Sequence, residues 1–349
     1  MIVHRVCKRY IFFFCFGLAV CIIASTHCYA QRSTARFLYW RPTAVSNALG
    51  GIGTAYFEDA SAAYFNPAAL AFGPNVSVAS SLVKPFPFFG SEVYSFISAS
   101  AKIEDFGTIA LSTNLYWKGA HVRTGPELSK EDLFDWQAKL SFGFPIAEHI
   151  SAGAGLSFLR MMLSEFGAGQ EQGSGKSSAF LGDLGVFASS LFTEATWSPQ
   201  ELDDETEFSK LADTKIKRGL SAGLAILNIG PKISFIDNAQ ADPPPTVLSA
   251  GVTYFPLQSN MLGLMLALDL EKRLYDGAAL DYIHYGAEVT FLRILAIRAG
   301  YFKGMDPTRN SFPTIGAGIR LKYCSLNIAR YTQTILPTWH YDASFFMEL

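Results

Sequence analysis

The chain has 349 residues, of which 50% are hydrophobic, 14% aromatic and only 17% charged. A soluble domain carries about 25% charged residues, so the composition points to a membrane protein and away from a soluble enzyme. With a formal net charge of −2, nothing suggests a nucleic-acid partner either. A helical membrane protein needs stretches of about 20 apolar residues, and only the N-terminus comes near that.

There, His4, Arg5, Lys8 and Arg9 precede an apolar run from Ile11 to Ile23, and the small residues of Cys28-Tyr29-Ala30 stand at −3 and −1 before Gln31. This is the three-part layout of a secretory signal, so residues 1–30 are expected to be a cleaved signal peptide. The short apolar run argues against an uncleaved anchor helix, and His27 argues against a lipoprotein site at Cys28. Without that segment Lys+Arg falls from 28 to 25 while Asp+Glu stays at 30, and Cys324 is the one cysteine left. The mature chain is then expected to hold no intramolecular disulfide and no cysteine metal cluster. A membrane-like chain without membrane helices has one remaining solution, a closed β-barrel.

Residues 31–75 do not read as strands. Gly50, Gly51 and Gly53 give a permissive backbone, and the stretch from Ala60 to Ala63 favours a short helix that Asn66-Pro67 ends. A compact segment of this kind fits as a plug, or hatch, in a barrel lumen. A nucleotide-binding reading of the glycines is rejected, because no strand–helix unit surrounds them.

From residue 76 onward the pattern alternates with a period of two, as barrel strands do. Residues 134–146 are the clearest case: Phe134, Trp136, Ala138, Leu140, Phe142, Phe144 and Ile146 oppose Asp135, Gln137, Lys139, Ser141 and Gly143. The periodicity predicts strands at 76–84, 92–103, 107–119, 134–146, 150–162, 178–190, 219–229, 246–256, 261–272, 281–291, 294–303, 313–323, 325–333 and 339–349. That is an all-β, transmembrane antiparallel barrel of about 14 strands over 76–349, an even number as expected. Short turns (104–106, 147–149, 257–260, 292–293 and Cys324) then lie on the periplasmic side, and mostly longer loops (85–91, 120–133, 163–177, 230–245, 273–280, 304–312, 334–338) outside. Trp117, Trp136 and Trp339 fall at the outer rim, the depth that indole rings prefer. Three features fit this scheme poorly. Segment 191–218 is long and acidic yet periplasmic, residues 178–190 alternate too weakly to fix a face, and Arg160 and Arg330 take the lipid-facing parity, where they would have to snorkel.

The sequence also resembles a known family. Leu49-Gly50-Gly51-Ile52-Gly53, followed by Asp59-Ala-Ser-Ala-Ala-Tyr-Phe-Asn66-Pro67-Ala68-Ala-Leu70, is similar to the N-terminal signature of the long-chain fatty-acid transporter superfamily. Pieces further on (Gly182-Asp-Leu-Gly185, Asn228-Ile-Gly-Pro231, Tyr285-Gly-Ala-Glu288, Arg298-Ala-Gly-Tyr301) resemble its branch containing the PorV and PorQ proteins and treponemal outer-membrane proteins. The resemblance implies a fourteen-stranded barrel with an N-terminal hatch holding the motif Gly50, Gly51, Gly53, Asp59, Asn66, Pro67 and Ala68. It also implies passive uptake of a hydrophobic ligand such as a long-chain fatty acid, which is captured on outer loops and leaves sideways as the hatch shifts. Ala69 stands where the family usually has glycine, and the chain ends in Leu349 rather than an aromatic residue.

No catalytic constellation, metal site or cofactor is expected. His121, His149, His284 and His340 lack metal-ligand spacing, and no Gly-x-Ser-x-Gly marks a nucleophile. By parity Lys118, Asp135, Lys139, Asp269, Glu271, Glu288, Arg298, Arg320, Lys322 and Asp342 face the lumen. They either line a conduit or form a paired network holding the hatch, and the second weighs more because buried charges need partners. Asp59 and Asn66 either hold the hatch or simply cap its turns. The outer cluster Phe86, Phe88 and Phe89 is a ligand-capture candidate and equally a rim anchor. Three functions remain: an outer-membrane transporter for hydrophobic molecules; a non-transport accessory barrel, PorV-like, meeting a protein partner through 191–218; and a surface protein for host contact. The first is the expectation, with outer-membrane lipid as the surrounding partner.

Overall fold

The computed structural model describes residues 33–86, 91–122, 130–163, 175–197, 218–235, 241–275, 279–307, 309–331 and 338–347. The expected signal peptide at 1–30, Phe88 and Phe89, and residues 198–217 of the acidic segment lie outside the described residues.

Fourteen strands follow one another: β1 (Val76–Val83), β2 (Val93–Ile103), β3 (Gly107–Val122), β4 (Lys130–Ala147), β5 (Ile150–Met162), β6 (Lys176–Leu191), β7 (Gly219–Ile229), β8 (Val247–Gln258), β9 (Leu262–Arg273), β10 (Tyr282–Phe291), β11 (Leu295–Gly304), β12 (Phe312–Arg320), β13 (Cys324–Tyr331) and β14 (Thr338–Met347). Each pairs antiparallel with the next, and β14 closes onto β1 through Val76↔Met347 to Val83↔His340. The expected barrel is the fold. Its logic is the alternation: in β1 every second residue is buried, and Leu111, Leu140, Leu156, Phe180, Ile297, Ile315 and Leu326 stand exposed on the outer wall. Closure pairs the backbone groups of every strand. No helix of the described residues is long and apolar enough to cross a membrane.

The structure corrects the expectations at a few places. The loop expected at 120–133 is in part a continued hairpin, with Ala120↔Asp132, His121↔Glu131 and Val122↔Lys130 still paired beyond a bulge after Trp117. A single-residue turn at Cys324 cannot reverse an antiparallel pair, since the tightest common hairpin loops take two residues. The turn is instead 321–323, closed by the Leu321 N–H donating to the Cys324 carbonyl at 2.7 Å. Lys322 consequently sits exposed in that turn, over the Tyr323 ring at 5.4 Å, and not in the lumen. The weak alternation of 178–190 also has a physical reason. The inward face of β6 carries Ala179, Leu181 and Phe187, all buried, because this wall packs against chain rather than water.

That chain is residues 33–75. It forms a 3-10 turn (Arg36–Tyr39), helix α1 (Ala44–Ala48), helix α2 (Ala62–Phe65) and a second 3-10 turn (Pro67–Phe72) before entering β1. Thr43 caps α1, its Oγ1 accepting the Ser46 N–H at 3.1 Å, and Pro67 opens the second turn where its missing donor is no loss. The segment lies inside the barrel. Ala44, Ala48, Leu49, Ile52, Ala63, Asn66, Ala68 and Leu70 are buried, with α1 against β11 to β14 and the Pro67–Phe72 turn against β3 to β6.

Candidate functional site

The plug approaches the wall backbone to backbone. A Cβ on Gly300 would stand 2.1 Å from the Gly50 nitrogen, and one on Gly153 would stand 2.3 Å from the Ala68 nitrogen. Gly143, Gly223 and Gly286 meet Pro67, Thr54 and Leu49 in the same way, and Gly185 meets the Asn66 side chain. The strand glycines thus form an inward belt on which the plug rests, and a side chain at any of them would push the two apart. Within the plug, Gly50 and Gly51 have φ of 72° and 95°, a backbone region that favours glycine. Gly53 faces Phe65, whose ring would be 2.2 Å from an added Cβ.

Asn66 is the polar centre of this contact. Its Nδ2 donates to the Thr54 carbonyl and to the Val186 carbonyl of β6, each at 3.1 Å, while its Oδ1 accepts the Ala68 N–H at 3.1 Å. One side chain thereby caps a turn and ties plug to wall. Asp59 acts locally: its carboxylate accepts the Ser61 N–H at 2.8 Å. Ala68 also receives a wall contact, its carbonyl accepting the Ser151 hydroxyl at 2.7 Å.

The lumen charges of the wall mostly serve the plug. The Asp342 carboxylate accepts the N–H groups of Ala44 and Val45 at 2.7 and 3.2 Å, at the start of α1. Asp269 accepts those of Gly53 and Thr54 at 2.9 and 2.8 Å. On the plug, Glu58 is paired with Arg320 and lies 3.8 Å from Arg298, which itself donates to Glu288 at 2.5 Å. Arg41 pairs with Glu271 at 2.5 Å, and His284 Nδ1 lies 2.7 Å from the Gly50 carbonyl. Lys139 and Asp183 pair at 2.6 Å, and Lys118 and Asp135 at 2.7 Å, both within the wall. Charges of this kind need partners when buried, and here many of the partners belong to the plug.

Above the plug, on the long-loop side, the lumen divides in two. Against β1, β2, β5 and β6 it is apolar and occupied by the chain itself: Phe37 and Leu38 pack with Val83, Tyr94, Leu159, Met161 and Leu181. Against β9 to β13 a cavity of about 340 Å³ remains. Its lining includes Arg36, Arg41, Arg273 and Arg309 together with Tyr39, Trp40, Tyr282, Phe302 and Phe312. Among the described residues the acids paired with these arginines are Glu271, shared by Arg41 and by Arg273 at 2.8 Å, and Asp281, which meets Arg309 at 2.7 Å. Among the described residues four arginines and two acids thus meet at this cavity. The Arg273 guanidinium lies over the Tyr39 ring at 3.9 Å and over that of Tyr282 at 4.9 Å. Phe86, the described member of the expected capture cluster, touches this site's edge, its ring 6.4 Å from that of Trp40.

Sequence reasoning found Glu271 but missed Arg36, Arg41, Arg273 and Arg309. Parity reaches Arg273 if the ninth strand is carried one residue further. The other three stand in the plug and an outer loop, where no periodicity exists to place them.

An apolar exterior, a closed antiparallel wall and a polar lumen filled by the chain's own N-terminal segment define a plugged β-barrel of the outer-membrane type. Two solved structures share the architecture. The CymD monoaromatic hydrocarbon channel matches with a TM-score of 0.51 at 13% identity, over 88% of this chain and 98% of that one. The P. putida toluene transporter TodX matches with a TM-score of 0.50 at 13% identity, over 88% and 99%. At such identity the likeness is one of fold. No family model and no curated protein matches the sequence.

Proposed function

We propose that this chain is an outer-membrane transporter for hydrophobic small molecules, with long-chain fatty acids as the ligands expected. In this reading residues 31–75 act as the hatch, uptake is passive, and the ligand leaves sideways through the wall once the hatch shifts. The observation that carries it is the cavity above the plug, within the few hundred Å³ usual for small-molecule sites. Its arginines supply the charged donors that bind a carboxylate, and Trp40, Phe302 and Phe312 beside them suit an alkyl chain. Phe86 and, in the same outer cluster, Phe88 and Phe89 would receive the ligand first.

Binding is tested by tryptophan fluorescence on the purified protein, titrated with oleate and with an alkane of equal length. Arg36→Gln combined with Arg309→Gln removes charged donors worth about 1.5–3 kcal/mol each, so oleate affinity is expected to fall at least tenfold with alkane binding unchanged. Wild-type protein that binds neither ligand would falsify the reading. Uptake is tested in liposomes, where Asn66→Ala alters the rate if the hatch is the moving part.

A second reading, an accessory barrel that transports nothing and meets a protein partner through 191–218, is favoured by the base of that segment. There the Trp197 N–H donates to the Pro256 carbonyl at 2.9 Å, and its indole remains 65% exposed on the short-turn side. Crosslinking from Trp197→Cys that captures a stable partner, with no fatty-acid uptake, decides for it.

A further inference from the structure

The charges on the outside of the barrel are few and one-sided. Outward-facing strand positions in a lipid-bathed wall are apolar, because a charge at membrane depth is expensive. Among the residues whose side chains are described, the ionisable ones that take the outward parity are Lys84, Arg160, Lys176, Lys272, Lys303, Arg330 and Asp132. Six are cations, and each lies at the long-loop end of its strand. Lys84 directly follows β1, Lys176 opens β6, and Arg160, Lys272, Lys303 and Arg330 stand one or two residues before the ends of β5, β9, β11 and β13. The chain neighbours of five of them, Val83, Leu159, Met161, Ser177, Glu271, Arg273, Ala329 and Tyr331, are buried inward, which fixes the direction of those five. The single acid, Asp132, sits on the hairpin extension four residues beyond Trp136, roughly 13 Å further out.

These cations stand beside indole rings. Arg330 is the cross-strand partner of Trp339, and its guanidinium lies 5.5 Å from the ring centre. Lys84 flanks the same tryptophan from β1, its carbonyl accepting the Thr338 hydroxyl at 2.7 Å. About a third of the way round the barrel, on β4 and β5, Arg160 is the partner of Trp136. It donates to the Ser178 hydroxyl at 2.8 Å, and Lys176 follows on the same outward row of β6. Tryptophan marks the headgroup level, and long cationic side chains reach that level from the last turn of a strand. Lys84 and Arg330 are two strand spacings apart, roughly 10 Å, so both can converge on one phosphate.

We propose that this rim is a binding surface for phosphate-bearing lipids of the outer leaflet, with one site formed by Lys84 and Arg330 around Trp339 and another by Arg160 and Lys176 beside Trp136. The partner follows from the chemistry. An anionic headgroup at indole depth is what an outward cation of this kind meets, and the acyl chains would lie on the apolar wall below. The inference is independent of what passes through the lumen; it needs only that the barrel sits in a membrane with its long loops outward.

The test uses full-length protein, reconstituted in vesicles of mixed phosphatidylcholine and phosphatidylglycerol, extracted into mild detergent, with the retained lipid counted by native mass spectrometry. Wild type is expected to retain phosphatidylglycerol over phosphatidylcholine by roughly tenfold. The K84Q/R160Q/K176Q/R330Q variant is expected to lose that preference, whereas R293Q/K322Q, in the short turns, keeps it. Should the fourfold variant fail to insert, wild type measured at about 0.5 M salt serves instead, because screening must erase an electrostatic preference. Equal retention of both lipids by wild type overturns the proposal, as does a preference that survives in the fourfold variant or in high salt. Inorganic phosphate raising the melting temperature as much as the lipid does also overturns it, since the surface would then be a simple anion site.

Discussion

At Gly300 and Gly153 the wall and the plug share the space that a side chain would take. The neighbours are backbone atoms, the Gly50 and Ala68 nitrogens, and these cannot rotate away as a side chain can. Gly300→Val is therefore expected to lower stability by about 1–3 kcal/mol through overpacking, read as an earlier thermal transition in detergent. Gly182→Ala is the contrast, since its nearest atoms lie 3.9 Å from the added Cβ, and it should leave the transition in place; a loss equal to that of Gly300→Val would remove the distinction. Asn66 differs from both because its value lies in hydrogen bonds. Asn66→Ala strips a partner from the Ala68 N–H and from two carbonyls, a penalty of about 1–3 kcal/mol. Faster amide exchange over 54–72, with the strands unchanged, is the expected signature.

Among the elements, α1 is too short to hold itself together. Five residues form a helix because Thr43 and Asp342 take up the N–H groups that its first turn leaves over. Asp342 reaches in from β14, and the Asn327 Nδ2 in turn donates to it at 2.7 Å. Asp342→Ala leaves the Ala44 and Val45 donors buried without that carboxylate, and exchange of the amides over 44–49 is expected to quicken by at least tenfold. Protection that persists there would mean the packing of Ala44 and Ala48 on Ala329 suffices alone. The strand elements behave otherwise. Their stability comes from the closed ladder, and the lumen glycines that weaken a strand in isolation are retained because the plug occupies the vacated volume.

For the whole molecule the consequence is a barrel closed by its own chain. Wall and plug meet through glycine contacts on β4 to β7, β10 and β11 and through charged or hydrogen-bonded pairs on β9 to β12 and β14. Wild-type protein in a planar bilayer is expected to pass no steady ionic current, whereas Gly300→Val and Asp342→Ala should raise the frequency of brief openings. A constant open conductance in the wild type would contradict this packing.

Much of the architecture was legible in the sequence because a lipid-facing wall leaves a period-two imprint at every strand, and even the parity of Asp269, Glu271, Glu288 and Arg298 followed from it. The glycines, Asn66 and Pro67 stood out as a compact non-strand segment for the same reason, as a break in that period. What the imprint lacks is any record of what the inward face touches. Whether Arg298 pairs with Glu58 or lines water, and whether Arg36 and Arg41 gather beside Arg273, depends on contacts across more than 200 residues of chain. Such contacts arise only when the barrel closes and the N-terminal segment folds into it, so the cavity belongs to the tertiary structure alone.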